Sequence, residues 1–303
     1  MRVVSLGSGS SGNALFVEAG PQGRTKLLVD AGLTGRVLIE RLNRIGVSPT
    51  QLHGVLVTHE HSDHTIGLNS LTKRYHVPIV ADPRTTTAIQ ASIFSGIWHT
   101  DSGNLALNTL VSGEQALPSS SDALDTLAFP IGTQKSIGDI EVTSFPISHD
   151  AVAPCGYLLE AGGCRVCIVT DSGEVTPAML EVMQHADLLI LESNHERERL
   201  IRGPYPQHLK KRILSPTGHL SNEQAAEAVL RTWRPDSVRW LWLAHISKTN
   251  NTPTLALNSM RTHLQTANVN LSHIHITASP PNMGHVWDST QLWQASSLWE
   301  MSH

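Results

Sequence analysis

The chain has 303 residues, 40% of them hydrophobic, and no apolar run approaches the eighteen or so needed to cross a bilayer, which argues for a soluble enzyme rather than a membrane-spanning protein. With 22 Lys and Arg against 26 Asp and Glu, the formal net charge is −4, which excludes a strongly basic surface and leaves any polyanion to meet a local patch. Three cysteines, an odd number, argue against a disulfide framework and fit a reducing compartment.

The N-terminal MRVVSLGSGS reads as a strand and a Gly/Ser turn, without the apolar core and small-residue cleavage site of a signal peptide, so a cytoplasmic location is expected. The loop GSGSSGN (7–13) lacks the spacing of either nucleotide-binding glycine motif. It is read as a tight turn needing glycine backbone freedom, with Ser8 and Ser10 as candidate substrate contacts. The run TKLLVD stops at Asp30, and a helix is expected over 33–46.

Residues 55–64, VLVTHEHSDH, carry the chemistry: a buried strand over 55–58 delivers His59, His61, Asp63 and His64 within six positions. Three imidazoles and a carboxylate converge in this way around a cation. The donors suit zinc, with iron or manganese as alternatives, and two ions about 3.5 to 4 Å apart could share them. Alternation along an extended chain would point His59, His61 and Asp63 the same way. A helix over 67–76, the strand VPIVA and a helix over 84–98 follow. The segment from about 100 to 135, rich in Ser, Gly, Asn and Thr, reads as an irregular insertion and part of a lid.

In the second half, EVTSFPISH ends at His149, CRVCIVTD at Asp171 and VRWLWLAH at His245, each a β-rich run terminating in a donor. Singly, such residues are commonly caps or turns; jointly, they describe ligands delivered to one sheet edge. Cys164 and Cys167 lie on a strand, face opposite ways and pack, as does Cys155. GYLLEA and DLLILES read as strands, and 176–185 as a helix. Ser221, with Glu223 and Gln224 behind it, N-caps a helix over 221–233. Residues 197–212 concentrate Arg197, Arg199, Arg202, Lys210, Lys211 and Arg212, either as a phosphate-binding patch or as a solvated helix laced by pairs such as Glu198 with Arg202. A tail after 280 carries Trp287, Trp293 and Trp299, whose spacing suits packing onto the domain or a partner.

Asp30, the His59–His64 cluster, His149, Asp171 and His245 resemble the five ordered motifs of the metallo-β-lactamase superfamily. The segments SLGSGSSGN (5–13), LLVDAGLTG (27–35), THEHSDHTIGL (58–68), LESNHE (191–196), GHLSN (218–222) and LAHISKTNN (243–251) resemble its YycJ/WalJ branch. The likeness runs from residue 5 to about 280. It implies an α/β (α+β) fold, an αββα sandwich of two mixed sheets flanked by helices, here as one domain over 1–303. It further implies that His59, His61 and His149 hold one ion, that Asp63, His64 and His245 hold the second, and that Asp171 bridges them. Asp30 would orient a ligand imidazole. Lactam-opening members usually lack a bridging carboxylate where this chain has Asp171, and oxygen-reducing relatives carry Glu where it has His61. The implied substrate is therefore a phosphodiester, with 5′-to-3′ exonuclease action on DNA.

In such a site two divalent ions, Zn or Mn/Fe, activate water, and Asp63 orients it or accepts its proton. His219 is the first candidate proton donor to the leaving oxygen and His195 the second. Candidate substrate contacts are Ser8, Ser10, Ser221, Asn222, Arg202, Lys210 and Lys211, with nucleic acid as the expected partner. The alternatives are a small-molecule hydrolase acting on a cyclic phosphodiester, thioester or lactone, and a metal-binding sensor without turnover.

Overall fold

The computed structural model describes residues 1–99, 105–107, 124–235 and 237–292. β1 (Arg2–Gly7), β2 (Ala14–Ala19) and β3 (Thr25–Val29) form an antiparallel meander. α1 (Gly35–Arg44) then leads to β4 (Gly54–Leu56), which lies parallel to β3. After α2 (Ser62–Thr65) and α3 (Leu68–Tyr75), β5 (Ile79–Ala81) continues the parallel half. α4 (Pro83–Ser95) precedes a two-stranded ribbon of β6 (Ile97–His99) and β7 (Leu105–Leu107), and β8 (Thr126–Ala128) joins the edge beside β5.

The second sheet repeats this plan. β9 (Gln134–Ile137), β10 (Ile140–Pro146), β11 (Cys155–Ala161) and β12 (Cys164–Val169) are antiparallel. α5 (Pro177–Met183) precedes β13 (Leu188–Glu192), and α6 (Arg197–Arg202), α7 (Gln207–Ile213) and α8 (Asn222–Arg231) precede β14 (Arg239–Ala244). α9 (Pro253–Thr266) then leads to β15 (Ile274–Ala278), and β12 to β15 run parallel. β16 (Val286–Asp288) returns to the first sheet, antiparallel to β1.

Both sheets are mixed, with seven strands each among the described residues, and they face each other across a core that includes Val17, Leu27, Leu56, Val142, Tyr157, Ile168, Ile190 and Trp242. Leu38, Leu42, Leu68, Leu71 and Ile89 pack on the outer face of the first sheet. Met179, Met183, Ala225, Val229, Met260 and Leu264 cover the second. The result is the expected αββα sandwich. Leu27–Val29 of β3, β4, Leu188–Leu191 of β13 and Trp240–Ala244 of β14 are unbroken apolar runs because strands buried on both faces leave no place for alternation.

Three expectations need correction. Within the 100–135 segment, residues 100–104 and 108–123 fall outside the described part. The remainder is not irregular, since it contributes β7, β8 and the start of β9. Trp287 belongs to no tail: it lies on β16, 1% exposed, with its ring against Trp240 at 6.2 Å. Trp293 and Trp299 lie outside the described residues. The basic stretch is two short helices rather than one, because Gly203 to Pro206 interrupt it. The cysteines are free and buried as expected, Cys164 in the core between the sheets and Cys167 beneath the outer helices.

Candidate metal centre

One edge of the sandwich gathers the ends of the parallel strands, and the backbone there turns sharply. Asp30 after β3, Asp171 after β12 and His245 after β14 take φ of 61°, 36° and 50°. Left-handed backbone is costly for non-glycine residues and persists where surroundings enforce it. Here it swings three polar side chains off buried strands into one groove.

β4 continues through Val57 and Thr58 to His59, and His61 then sits at the N-terminus of α2. Asp63 and His64 lie on that single helical turn, so the expected alternation along an extended chain ends at His61. α2 can dock this closely because residue 32 is glycine: a Cβ there would fall 1.5 Å from the Asp63 carbonyl oxygen.

The donor atoms form overlapping clusters, each within 4.8 Å: His59, His61 and His149; Asp63, His64 and His245; His59, His64 and Asp171; and Asp171, Glu192, His219 and His245. The first two triads are those expected for two ions, and Asp171 lies in both remaining groups. Its oxygens lie 3.0 Å from His64 Nε2 and 2.8 Å from His245 Nδ1, at ion-pair length but without hydrogen-bond alignment. Buried and without a hydrogen-bond partner among the described residues are His59 Nε2, both Asp63 oxygens and His245 Nε2. Buried donors and acceptors left unpaired cost several kcal/mol, and a cation among them removes that penalty, so the side chains fit a metal.

The opposite ring nitrogens are anchored. His64 Nδ1 donates to Asp30 Oδ2 at 2.7 Å, and Thr58 donates to Asp30 through its N–H (2.9 Å) and its hydroxyl (2.9 Å). That leaves the Thr58 oxygen to accept from His59 Nδ1 at 3.0 Å. His149 Nδ1 donates to the Gly218 carbonyl at 3.1 Å. In each case the Nδ1 proton fixes a tautomer whose Nε2 lone pair is available to a cation. Asp30 thus stands in the orienting place expected of it.

The charges are interdependent. Burial, then His64, His61 and His149, holds the His59 imidazole well below its ordinary pKa. Burial also acts to lower His64, but Asp30, Asp171 and Asp63 outweigh it and carry the group well above. His245 is raised likewise, Asp171 overcoming burial. Burial would raise Asp171, yet His245 and His64 hold it well below the carboxylate range.

Glu192, not singled out in sequence, is the hub of the second-sheet side. At the end of β13 and fully buried, its Oε1 accepts from His219 Nδ1 (2.7 Å) and His245 Nδ1 (2.9 Å). Its Oε2 accepts the Ser172 N–H (2.8 Å) and the Leu220 N–H (3.1 Å). Burial acts to raise its pKa, and His219 more than compensates. The signal was present, because the apolar LLIL runs straight into this acid as other strands run into Asp or His. The His219 ring lies 5.2 Å from that of His149 and 5.3 Å from that of His245, between the two triads. His195 is 1% exposed with both ring nitrogens unpartnered among the described residues, and burial lowers its pKa to about 4. A neutral imidazole is a poor acid, which ranks His195 behind His219 as proton donor.

Several expected substrate contacts brace the fold instead. The Ser8 hydroxyl accepts the His245 N–H at 2.9 Å, pinning the end of β14, while Ser10 is exposed at the loop tip. Ser221 caps α8 by accepting the Gln224 N–H. Asn222 is engaged with Ser193 and Asn251 in a buried amide network. Lys210 is 8% exposed and its Nζ donates to the Ile201 carbonyl. Arg202 pairs with Glu198 at 3.1 Å, and Arg212 with Asp150. Lys211 stays exposed. A cleft of about 620 Å³ opens beside His61, with Glu60 and Asp150 among its polar residues and Ala88, Ala91 and Ser95 of α4 lining one side.

Comparison with known proteins agrees with this geometry. Residues 25–246 match the family described as β-lactamase superfamily domain. The chain is 36% identical over 264 residues to the exodeoxyribonuclease WalJ of Streptococcus pneumoniae, covering 87% of this chain and 88% of that one. It is 36% identical over 255 residues to the exodeoxyribonuclease YycJ of Bacillus anthracis, covering 84% and 86%. Among solved structures, the metallo-β-lactamase fold protein YhfI of Bacillus subtilis superposes with a TM-score of 0.65 at 16% identity, over 94% of this chain and 98% of that one.

Proposed function

This chain belongs to the metallo-β-lactamase superfamily, in its YycJ/WalJ branch, and from that premise we propose a divalent-metal-dependent phosphodiesterase that shortens DNA from the 5′ end. The observation that carries the reading is the pair of donor triads flanking Asp171 in a chain 36% identical to two exodeoxyribonucleases.

His59, His61 and His149 would hold one ion and Asp63, His64 and His245 the other, with Asp171 between; zinc suits these donors first, manganese or iron next. When bound, such cations polarise the phosphodiester and bring a water's pKa toward neutrality. Asp63, with two carboxylate oxygens, uses one to orient that water and accept its proton. His219, its Nδ1 held by Glu192, presents Nε2 to the leaving oxygen and hands it a proton. The small side chains of α4 give the cleft beside His61 room for a nucleoside. The two sheets share one core, and we take the chain as one domain. No helix among the described residues is long and apolar enough to cross a membrane.

The test is incubation of the purified protein with end-labelled single- and double-stranded DNA and RNA, and with bis-p-nitrophenyl phosphate, under Zn, Mn and Mg in turn. Stepwise loss of 5′ nucleotides, abolished in His61→Ala and falling steeply with salt, is expected. A metal-loaded protein that cleaves no phosphodiester would falsify the proposal.

A further inference from the structure

The Gly/Ser loop between β1 and β2 ends in Asn13. It is 4% exposed. Its backbone is clamped on both sides: the N–H donates to the Asp63 carbonyl at 2.8 Å, and the carbonyl accepts the Gly32 N–H at 2.8 Å. Oδ1 accepts the Gly9 N–H at 2.8 Å, which fixes which end of the amide is which. The NH₂ end therefore faces the centre, where Nδ2 lies 3.0 Å from His64 Nε2. The turn that permits this needs glycine at position 12, where φ is +133° and a Cβ would meet the Gly32 carbonyl oxygen at 2.2 Å.

His64 Nδ1 faces Asp30, so Nε2 is the ring atom that meets the Asn13 amide, and its lone pair takes the Asn13 N–H only when the ring is neutral. That lone pair is also the one expected to hold a cation. With Nε2 so engaged, the Asn13 amide loses its acceptor. The Asp63 carbonyl is a poor substitute, since it lies 3.5 Å away and already takes the Asn13 backbone N–H. A buried donor does not go unpaired without cost.

We propose that Asn13 is a catalytic residue whose Nδ2–H donates to a non-bridging oxygen of the scissile phosphate, the acceptor that arrives with the substrate. This rests on the phosphodiesterase reading. It makes the Gly/Ser loop a rigid mount for one neutral donor, aimed where negative charge grows during attack. Removing one such donor from an acyl-transfer site costs about 10²- to 10³-fold in rate.

The test compares wild type with Asn13→Ala and with the isosteric Asn13→Asp, which keeps the Gly9 contact but replaces the donor by an acceptor. Four readouts are taken on each protein: metal content, melting temperature, affinity for inorganic phosphate by competitive inhibition and by calorimetry, and turnover of 5′-labelled DNA. Unchanged metal content and melting temperature are expected, with phosphate bound at least tenfold more weakly and kcat lower by about 10²-fold. Phosphate affinity and kcat within threefold of wild type in either folded variant overturn the assignment. So does a loss of activity that tracks loss of metal, since that marks a structural role. If wild type cleaves DNA normally while the variants do too, only the Asn13 inference falls. If wild type cleaves no phosphodiester, the functional reading falls first, and phosphate affinity alone judges Asn13.

Discussion

Replacing Glu192 by Gln tests whether the carboxylate beneath the centre does chemistry or merely fills space. The side chain keeps its shape but must offer one oxygen where two now serve four donors: His219 and His245 on one side, and the Ser172 and Leu220 N–H groups on the other. Whichever way the amide turns, its NH₂ meets a pair of donors, leaving two buried N–H groups unpaired at about 1–3 kcal/mol each. The expected destabilisation is therefore about 2–6 kcal/mol, read by denaturant melts on the metal-loaded protein. Metal affinity should weaken about 10- to 100-fold, as when carboxylates behind ligand imidazoles are removed. Catalysis should report the leaving group. If His219 protonates the departing oxygen with Glu192 holding it, DNA, which expels a basic alkoxide, should lose about 10²-fold or more in kcat under saturating metal. Bis-p-nitrophenyl phosphate, which expels a stable phenolate, should lose only a few-fold. Equal losses on the two substrates, with metal content restored, would refute the argument and reduce Glu192 to a structural role.

Four further outcomes follow from the same geometry. In protein stripped by a chelator, His64 and His245 are raised well above the ordinary histidine value of about 6.5. Their contribution to metal-free stability is full below about pH 6.5 and is lost as pH rises through the raised values, so the melting temperature of stripped protein should fall in that window. Loading should correspondingly release about two protons at neutral pH and strengthen with pH, measured by calorimetry in buffers of different ionisation enthalpy; no proton release would contradict the raised pKa of His64 and His245. Burial pushes the Cys155 and Cys167 thiols up to about 12 and raises Cys164, so none of the three cysteines should react with a disulfide reagent at pH 8 until denaturant is added. Gly32→Ala should drive Asp63 off its position, because its Cβ would fall 1.5 Å from the Asp63 carbonyl oxygen; a cost of about 1–3 kcal/mol or more and lowered metal content are expected, and a fully loaded, wild-type-like protein would show that α2 can yield.

What was legible in the linear chain is whatever follows from local pattern. Buried strands read as apolar runs, and a polar residue ending such a run must leave the sheet, so Asp30, His149, Asp171 and His245 could be picked out before any fold was known. The same rule would have caught Glu192, had acids been weighed equally with Asp and His. The capping box at Ser221 and the opposed faces of Cys164 and Cys167 were equally local. Other features depend on partners distant in sequence. Ser8 meets His245 across 237 positions, and Asn13 meets His64 across 51, so neither role is written in its neighbours. Lys210 looked like a surface cation until the α6 carbonyls stood beside it, and β8 and β16 are three-residue strands, too short to show a period, that exist because a sheet edge pairs with them. Whether Asp63 continues a strand or begins a helical turn was likewise decided by docking against Gly32. Local pattern sets which side chains leave a strand, but packing across the two sheets sets which of them meet, because burial and hydrogen-bond pairing belong to the assembled core and not to any one segment.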